Sequence, residues 1–136
     1  MNWYKEKLAQ TMFDSTGTIS LHGDNWTIIA VDAELGRYYL SQFNRSRVML
    51  DDQVMNPKWG PHISLIRGEV IEDLELLKQA DGRIVHFNYD PNVRWNGQHA
   101  FLDVDSPEAL DLREELGLPR QPFFPLHLTF GVKMQI

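Results

Sequence analysis

Two tetrapeptides carry side chains suited to chemistry on a phosphate: His62-Ile63-Ser64-Leu65 and His127-Leu128-Thr129-Phe130. Side chains alternate faces along a strand, so in each an imidazole and a hydroxyl share one face while two apolar residues anchor the other. An imidazole, with an ordinary pKa near ~6.5, exchanges protons close to neutral pH, and two of them across a phosphodiester can serve as general base and general acid. The hydroxyls, two residues along, can donate to non-bridging oxygens as charge builds up in the pentacovalent state. Base, acid and oxyanion donors then all come from the chain, and the chemistry calls for no metal and no cofactor. Coincidence competes as the explanation of one such motif, because histidine and a small polar residue can alternate on any wetted strand face. Each copy is introduced by a proline-containing turn and followed by glycine, which favours reading the two as halves of one site. His62, Ser64, His127 and Thr129 are therefore the catalytic candidates.

Flat and cationic side chains near the motifs are candidates for substrate binding. Trp59 precedes His62 by three residues, and Trp95 sits in a long loop with Tyr89 and Arg94 nearby; such rings can stack on nucleobases. Trp95 is the preferred candidate, since a loop residue has less packing reason to be an indole. Arg37, Tyr38 and Lys133 are further candidates for phosphate or sugar contacts, against a bland reading as solvated surface positions. Strict alternation puts Arg67 on the strand face opposite His62, out of reach of a phosphate unless the strand twists or bulges. His86 and His99 fall on two strands expected to pair and could face each other, but no third ligand stands beside them at a convincing spacing. The acidic groups Asp51-Asp52 and Asp103-Val104-Asp105 read as solvated turns, and His22 as a loop residue.

The elements that must position these groups interleave in an α+β pattern. Strands are expected at Gly17 to Leu21, Asn25 to Val31, His62 to Arg67, Arg83 to Tyr89, Gln98 to Val104 and Leu126 to Lys133. Asp32 caps a helix from Ala33 to about Phe43, despite Gly36 in its middle. A second helix is expected from Val70 to Gln79, with Val70, Leu74 and Leu77 on one face and Gly82 closing it. A third starts at the Ser106 cap with Pro107 at its first position and ends at Gly117. Asn44 to Lys58 reads as a long connection with Val48, Met49 and Leu50 as a possible short strand. The strands ending at Tyr89 and beginning at Gln98 read as a hairpin with a long tip.

The 136 residues, 43% hydrophobic and 24% charged, fit one globular domain, 1–136, around a single core. There is no cysteine, which excludes a thiolate metal site, a cysteine nucleophile and a disulfide framework. Neither residues 1–7 nor any other stretch reads as a signal or a membrane span, so a cytoplasmic protein without a membrane partner is expected. Thirteen Lys and Arg against nineteen Asp and Glu give a net charge of −6. That balance disfavours long nucleic acid and favours a small phosphorylated partner.

With the motifs in view, the sequence resembles the 2H phosphoesterase superfamily, whose signature is two H-x-[ST]-hydrophobic motifs in two pseudo-symmetric halves. The two motifs here lie 65 residues apart, with a helix and two strands expected between them. Serine stands in the first motif where threonine is common, which keeps the hydroxyl. The resemblance implies a pseudo-two-fold, bilobal fold of antiparallel sheets flanked by helices. It also implies that the histidines do acid-base work and that Ser64 and Thr129 bind phosphate. The segments Ala33-Glu34-Leu35-Gly36-Arg37-Tyr38-Tyr39 and Trp59-Gly60-Pro61-His62 through Glu69 are similar to the small phage anti-CBASS branch, which cuts cyclic oligonucleotide signals. In that case the protein would act in the host cytoplasm on a small cyclic nucleotide or short oligonucleotide. Two other readings stay open: RNA-end processing of 2′,3′-cyclic phosphates or 2′,5′ linkages, and a non-catalytic sponge for a cyclic nucleotide.

Overall fold

The computed structural model describes residues 12–23, 25–50 and 52–134. Residues 1–7 and Asp51, both read above, lie outside the described residues. In chain order the elements are β1 (Phe13–Leu21), β2 (Trp26–Val31), α1 (Ala33–Ser46), β3 (Val54–Met55), β4 (His62–Arg67) and α2 (Leu74–Ala80). They continue with β5 (Ile84–Tyr89), β6 (Arg94–Trp95), β7 (His99–Asp105), α3 (Pro107–Glu115) and β8 (His127–Lys133). Eight antiparallel strands and three helices among the described residues make this an α+β chain. No helix among them is long and apolar enough to cross a membrane.

The caps at Asp32 and Ser106 sit where the sequence signals put them, and Asp73 adds a third. Asp32 accepts the Glu34 N–H at 3.0 Å, Asp73 accepts the Leu76 N–H at 3.0 Å and Ser106 Oγ accepts the Ala109 N–H at 3.1 Å. Gly117 carries the positive φ of 81° that follows α3. Three expectations need correction. The second helix starts at Leu74 rather than Val70, because Asp73 supplies the cap; Val70 is 82% exposed and packs on nothing in the core. Val48, Met49 and Leu50 form an exposed turn, and the short strand of this connection is Val54–Met55, held to α1 by Asn44, whose side chain bonds both N–H and C=O of Val54. The expected hairpin is reduced to two pairs, Asn88↔Asp105 and Tyr89↔Val104, while the tip folds back as β6 against β7.

Pairing runs β3-β8-β4-β2-β1-β5-β7-β6, and β8 also pairs with β7, so six strands close a circuit. Within it, β4-β2-β1-β5 and β7-β8 are joined by long ladders, and the two groups meet at the short β5–β7 pairing and at β4–β8. The β4–β8 seam has only His62↔Thr129 and Ile63↔Leu128. Ile63, Leu65, Leu128 and Phe130 point into a core that they share with Ile19, Ile29, Leu102, Leu112 and residues of all three helices. The opposite face of β4 and β8 carries the polar motif residues.

Both motif strands are bulged at the same place. Opposite β2, Thr27 pairs with Ile66 and Ile28 with Ser64, so Leu65 is the extra residue. Opposite β7, Ala100 pairs with Gly131 and Phe101 with Thr129, so Phe130 is the extra residue. A bulge resets the alternation beyond it. Arg67 and Val132 are thereby returned to the face of the histidines and hydroxyls, against the strict-alternation expectation for Arg67. The Leu65 carbonyl, displaced from the ladder, accepts Nη1 of Arg113 at 2.7 Å, and Arg113 is 1% exposed. An α3 side chain thus satisfies the first bulge where the ladder cannot.

Two glycines permit close approach to these strands. A Cβ on Gly36 would meet the Pro61 ring at 2.5 Å, so the helix glycine exists to seat the proline that leads into the first motif. A Cβ on Gly131 would meet Val54 Cγ2 at 2.7 Å, where β3 lies beside β8 just after the second motif.

Candidate active site

The antiparallel register places His62 directly across from Thr129, and continuing it by one step sets Ser64 across from His127. Cα atoms so paired lie about 4.5–5.5 Å apart. The four catalytic candidates therefore form a compact square on one face, with Ile63 and Leu128 at its centre pointing away into the core. A local two-fold axis between those two residues relates one motif to the other.

Each imidazole is tethered in the same way. His62 Nδ1 donates to the Gly60 carbonyl at 2.7 Å, and His127 Nδ1 donates to the Pro125 carbonyl at 2.8 Å. A carbonyl can only accept, so Nδ1 carries the hydrogen and the lone pair of a neutral ring sits on Nε2. Among the described residues neither Nε2 has a hydrogen-bond partner. Each ring also meets an aromatic edge-on: Trp59 against His62 at 6.1 Å between centroids, Phe101 against His127 at 5.2 Å. The proline-containing turns seen in the sequence are what supply both tethering carbonyls.

Burial lowers the His62 pKa below its ordinary value, opposed by the Gly60 carbonyl and reinforced by the charges of His127, His22 and Arg67. The enclosure comes from Trp59, whose far face stacks on His22 at 4.1 Å and which meets Trp26 edge-on at 6.1 Å. His22, read as a loop residue, is thus the outer support of the wall beside His62.

The square lies in a cleft of about 640 Å³ that takes in His62, Ser64, His127, Thr129, Trp59, Arg67 and Val132. On the β7 side the cleft is walled by Arg94, Asn96, His99, Phe101 and Asp103. His99, Phe101 and Asp103 alternate with buried Ala100 and Leu102, so one face of β7 belongs to the site. Burial, and next the charge of His127, hold the His99 pKa below its ordinary value. A second cleft of about 370 Å³ continues past Ser64 and His127, between Arg67, Glu69, Pro122, Phe123 and Phe124.

Of the residues expected to bind substrate, Trp59 lines the cleft and five do not. Trp95 packs on Phe43 at 5.2 Å and under the Arg47 guanidinium at 5.5 Å, because β6 turns its indole toward the core rather than the cleft. Tyr89 is buried between Phe13, Phe87 and Tyr39, and its presence helps push the Tyr39 phenol, chiefly desolvated, up to about 12. Tyr38 is exposed against the edge of Tyr39, and Arg37 is an exposed helix residue paired with Glu34 at 3.6 Å. Lys133 ends β8 outside the cleft. His86 does not face His99: it pairs across to Thr16 on β1 and bonds Glu108 at 3.1 Å. Among the described residues no three His, Cys, Asp or Glu side chains gather as metal ligands. Asp103 is engaged by Arg94 at 2.9 Å and Asp52 by Arg47 at 2.7 Å.

Trp26, Arg67, His99, Phe101 and Phe124 are site residues that the sequence reading did not assign. Alternation along β7 carries the signal for His99 and Phe101. For Arg67 the signal is the apolar doublet Leu65-Ile66, which strict alternation cannot bury on one face. Comparison with known proteins gives no match of the chain to a family model, to a curated protein or to a solved structure.

Proposed function

We propose that the chain is a phosphodiesterase that cuts a phosphodiester in a small oligonucleotide, with a cyclic di- or trinucleotide as the preferred substrate class. The pairing of the two motifs in register carries this reading: His62 lies opposite Thr129, both rings are tethered through Nδ1, and both Nε2 atoms are unpartnered among the described residues. A neutral His62 takes the proton from the attacking hydroxyl, of a ribose or of water, as the new P–O bond forms. His127, protonated, gives its Nε2 proton to the leaving oxygen as the old P–O bond breaks. Ser64 and Thr129 donate to the non-bridging oxygens, and their charge stabilisation counts most in the crowded pentacovalent state. The lowered His62 pKa supports its part as base, since a ring kept neutral has its lone pair available.

The resemblance to the 2H phosphoesterases, and within them to the anti-CBASS branch, supports the same reading. So does the shape of the site, because clefts extend on both sides of Ser64 and His127 and leave room for a nucleoside on either side of the phosphate.

The test is turnover of a panel: cyclic dinucleotides, cyclic trinucleotides, 2′,3′-cyclic mononucleotides and 2′,5′-linked oligomers, each in EDTA. His62→Ala and His127→Ala should each lower turnover by roughly 10²–10⁴-fold. Full activity in either variant, or abolition of native activity by EDTA, would overturn the mechanism. Turnover confined to the 2′,3′-cyclic or 2′,5′ substrates would move the function to RNA-end processing, and tight binding without turnover would make it a sponge.

A further inference from the structure

We propose that Arg67 binds a second phosphate of the substrate, about one nucleotide away from the bond that is cut. The inference rests on the phosphodiesterase reading and adds to it a recognition element on one side of the site.

The bulge at Leu65 is what brings Arg67 to the cleft, where it borders both the catalytic cavity and its extension. The guanidinium lies between two rings, 5.7 Å from the centroid of Trp26 and 5.4 Å from that of Phe124. Trp26 is also the register partner of Arg67, so the head group is held near its own station on the strand. Three strand residues at ~3.3 Å each put that station about 10 Å beyond Ser64, less the contraction at the bulge. The phosphate held by Ser64 and Thr129 is therefore not the one that Arg67 is placed to meet. A guanidinium held by ring faces spends none of its N–H donors on them, and its planar fork can then grip a phosphate with two parallel bonds.

Among the described residues the Arg67 guanidinium has no carboxylate and no hydrogen-bond acceptor. Arg94, across the cleft, is taken by Asp103 at 2.9 Å, and Lys58 is turned over the Trp59 ring at 6.0 Å. The carboxylate nearest to Arg67 in the chain is Glu69, and both its oxygens accept from Arg113 at 2.8 Å. Arg113 thus satisfies the bulge that aims Arg67 and occupies the acid that would otherwise neutralise it.

The two-fold relation separates this role from catalysis. Histidine, hydroxyl and bulge recur in both halves, but the residue returned to the cleft is Arg67 in one and Val132 in the other. Groups serving the bond-breaking step are duplicated; the cation is not. A negative charge is therefore to be met on the β4 side, and an apolar group on the β8 side.

The experiment uses the full chain carrying His127→Ala, with and without Arg67→Gln, titrated with a dinucleoside monophosphate, NpN, and the same molecule phosphorylated at both ends, pNpNp. The inference expects pNpNp to bind at least tenfold more tightly than NpN. Arg67→Gln should remove most of that difference and leave NpN within twofold, and Arg67→Lys should restore little, since an ammonium does not stack between rings. Equal affinities, no binding of either ligand, or an equal loss for both on Arg67→Gln would overturn it. An unchanged melting temperature of Arg67→Gln verifies the fold. Absence of turnover by the native protein would defeat the phosphodiesterase reading alone, because the titration decides on Arg67 without any cleavage.

Discussion

The β4 and β8 halves of the site share a backbone plan and differ in what surrounds it. Each presents a histidine tethered to the carbonyl two residues before it, then a hydroxyl, then a bulge. Around His62 the plan is filled by Trp59, Trp26, His22 and Arg67; around His127 it is filled by Phe101, Val132 and the largely exposed Pro122–Pro125 segment. Backbone geometry supplies two equivalently tethered imidazoles, and side-chain packing makes them unequal. A histidine kept neutral by burial and one with an open approach are what separate base and acid require.

The largest expected difference between the halves comes from Arg113, which serves β4 and has no counterpart at β8 among the described residues. Arg113→Met should cost about 3–5 kcal/mol in chemical denaturation, because it strands the Glu69 carboxylate and the Leu65 carbonyl together. The hydroxyls should behave alike despite the asymmetry: Ser64→Ala and Thr129→Val are each expected to lower kcat by about 10²-fold. A tenfold disparity between them would show that one half carries most of the transition-state charge.

Gly36→Ala touches only the first half. It drives a methyl into the Pro61 ring and should cost about 1–3 kcal/mol despite the gain in helix propensity, lowering activity through His62. The smallest expected effect is on pH dependence. The His62 pKa is lowered, so the acid limb of kcat/KM lies below the ordinary imidazole value; Trp59→Leu admits water and should move that limb to higher pH. Stability follows with its own sign. Below pH ~6.5 the unfolded chain binds a proton at His62 more readily than the folded one. The contribution is therefore present above that value and lost as pH falls through the lowered folded one, and His62→Ala should flatten that slope.

Much of this was legible in the residues. The motifs named their four side chains and the face they share, and the caps Asp32 and Ser106 marked α1 and α3 because local hydrogen bonds decide helix ends. What escaped notice depends on long-range register. The N-terminal half of β1 is polar, and nothing in Asp14, Ser15 or Thr16 announces a strand until Asn88, Phe87 and His86 are found opposite. Trp95 misled because a loop-like setting hid the two-residue strand that turns it onto Phe43. Arg67 was assigned to the wrong face by an alternation rule that a bulge suspends, although the Leu65-Ile66 doublet marks the break. Arg113 left no trace, since an arginine among leucines in a helix reads as surface.

The seam between β4 and β8 is two residue pairs long, yet it joins segments about 65 residues apart in the chain. Contacts so distant in sequence demand costly loop closure and are met late in folding, so any partly folded species lacks the square of His62, Ser64, His127 and Thr129 however much helix and ladder it has. In the native ensemble so short a junction is a place for sub-global opening. Transient parting there would separate the imidazoles while the long ladders on either side stay intact, and the proposed activity would then be set by the closed fraction of that seam rather than by the stability of the whole fold.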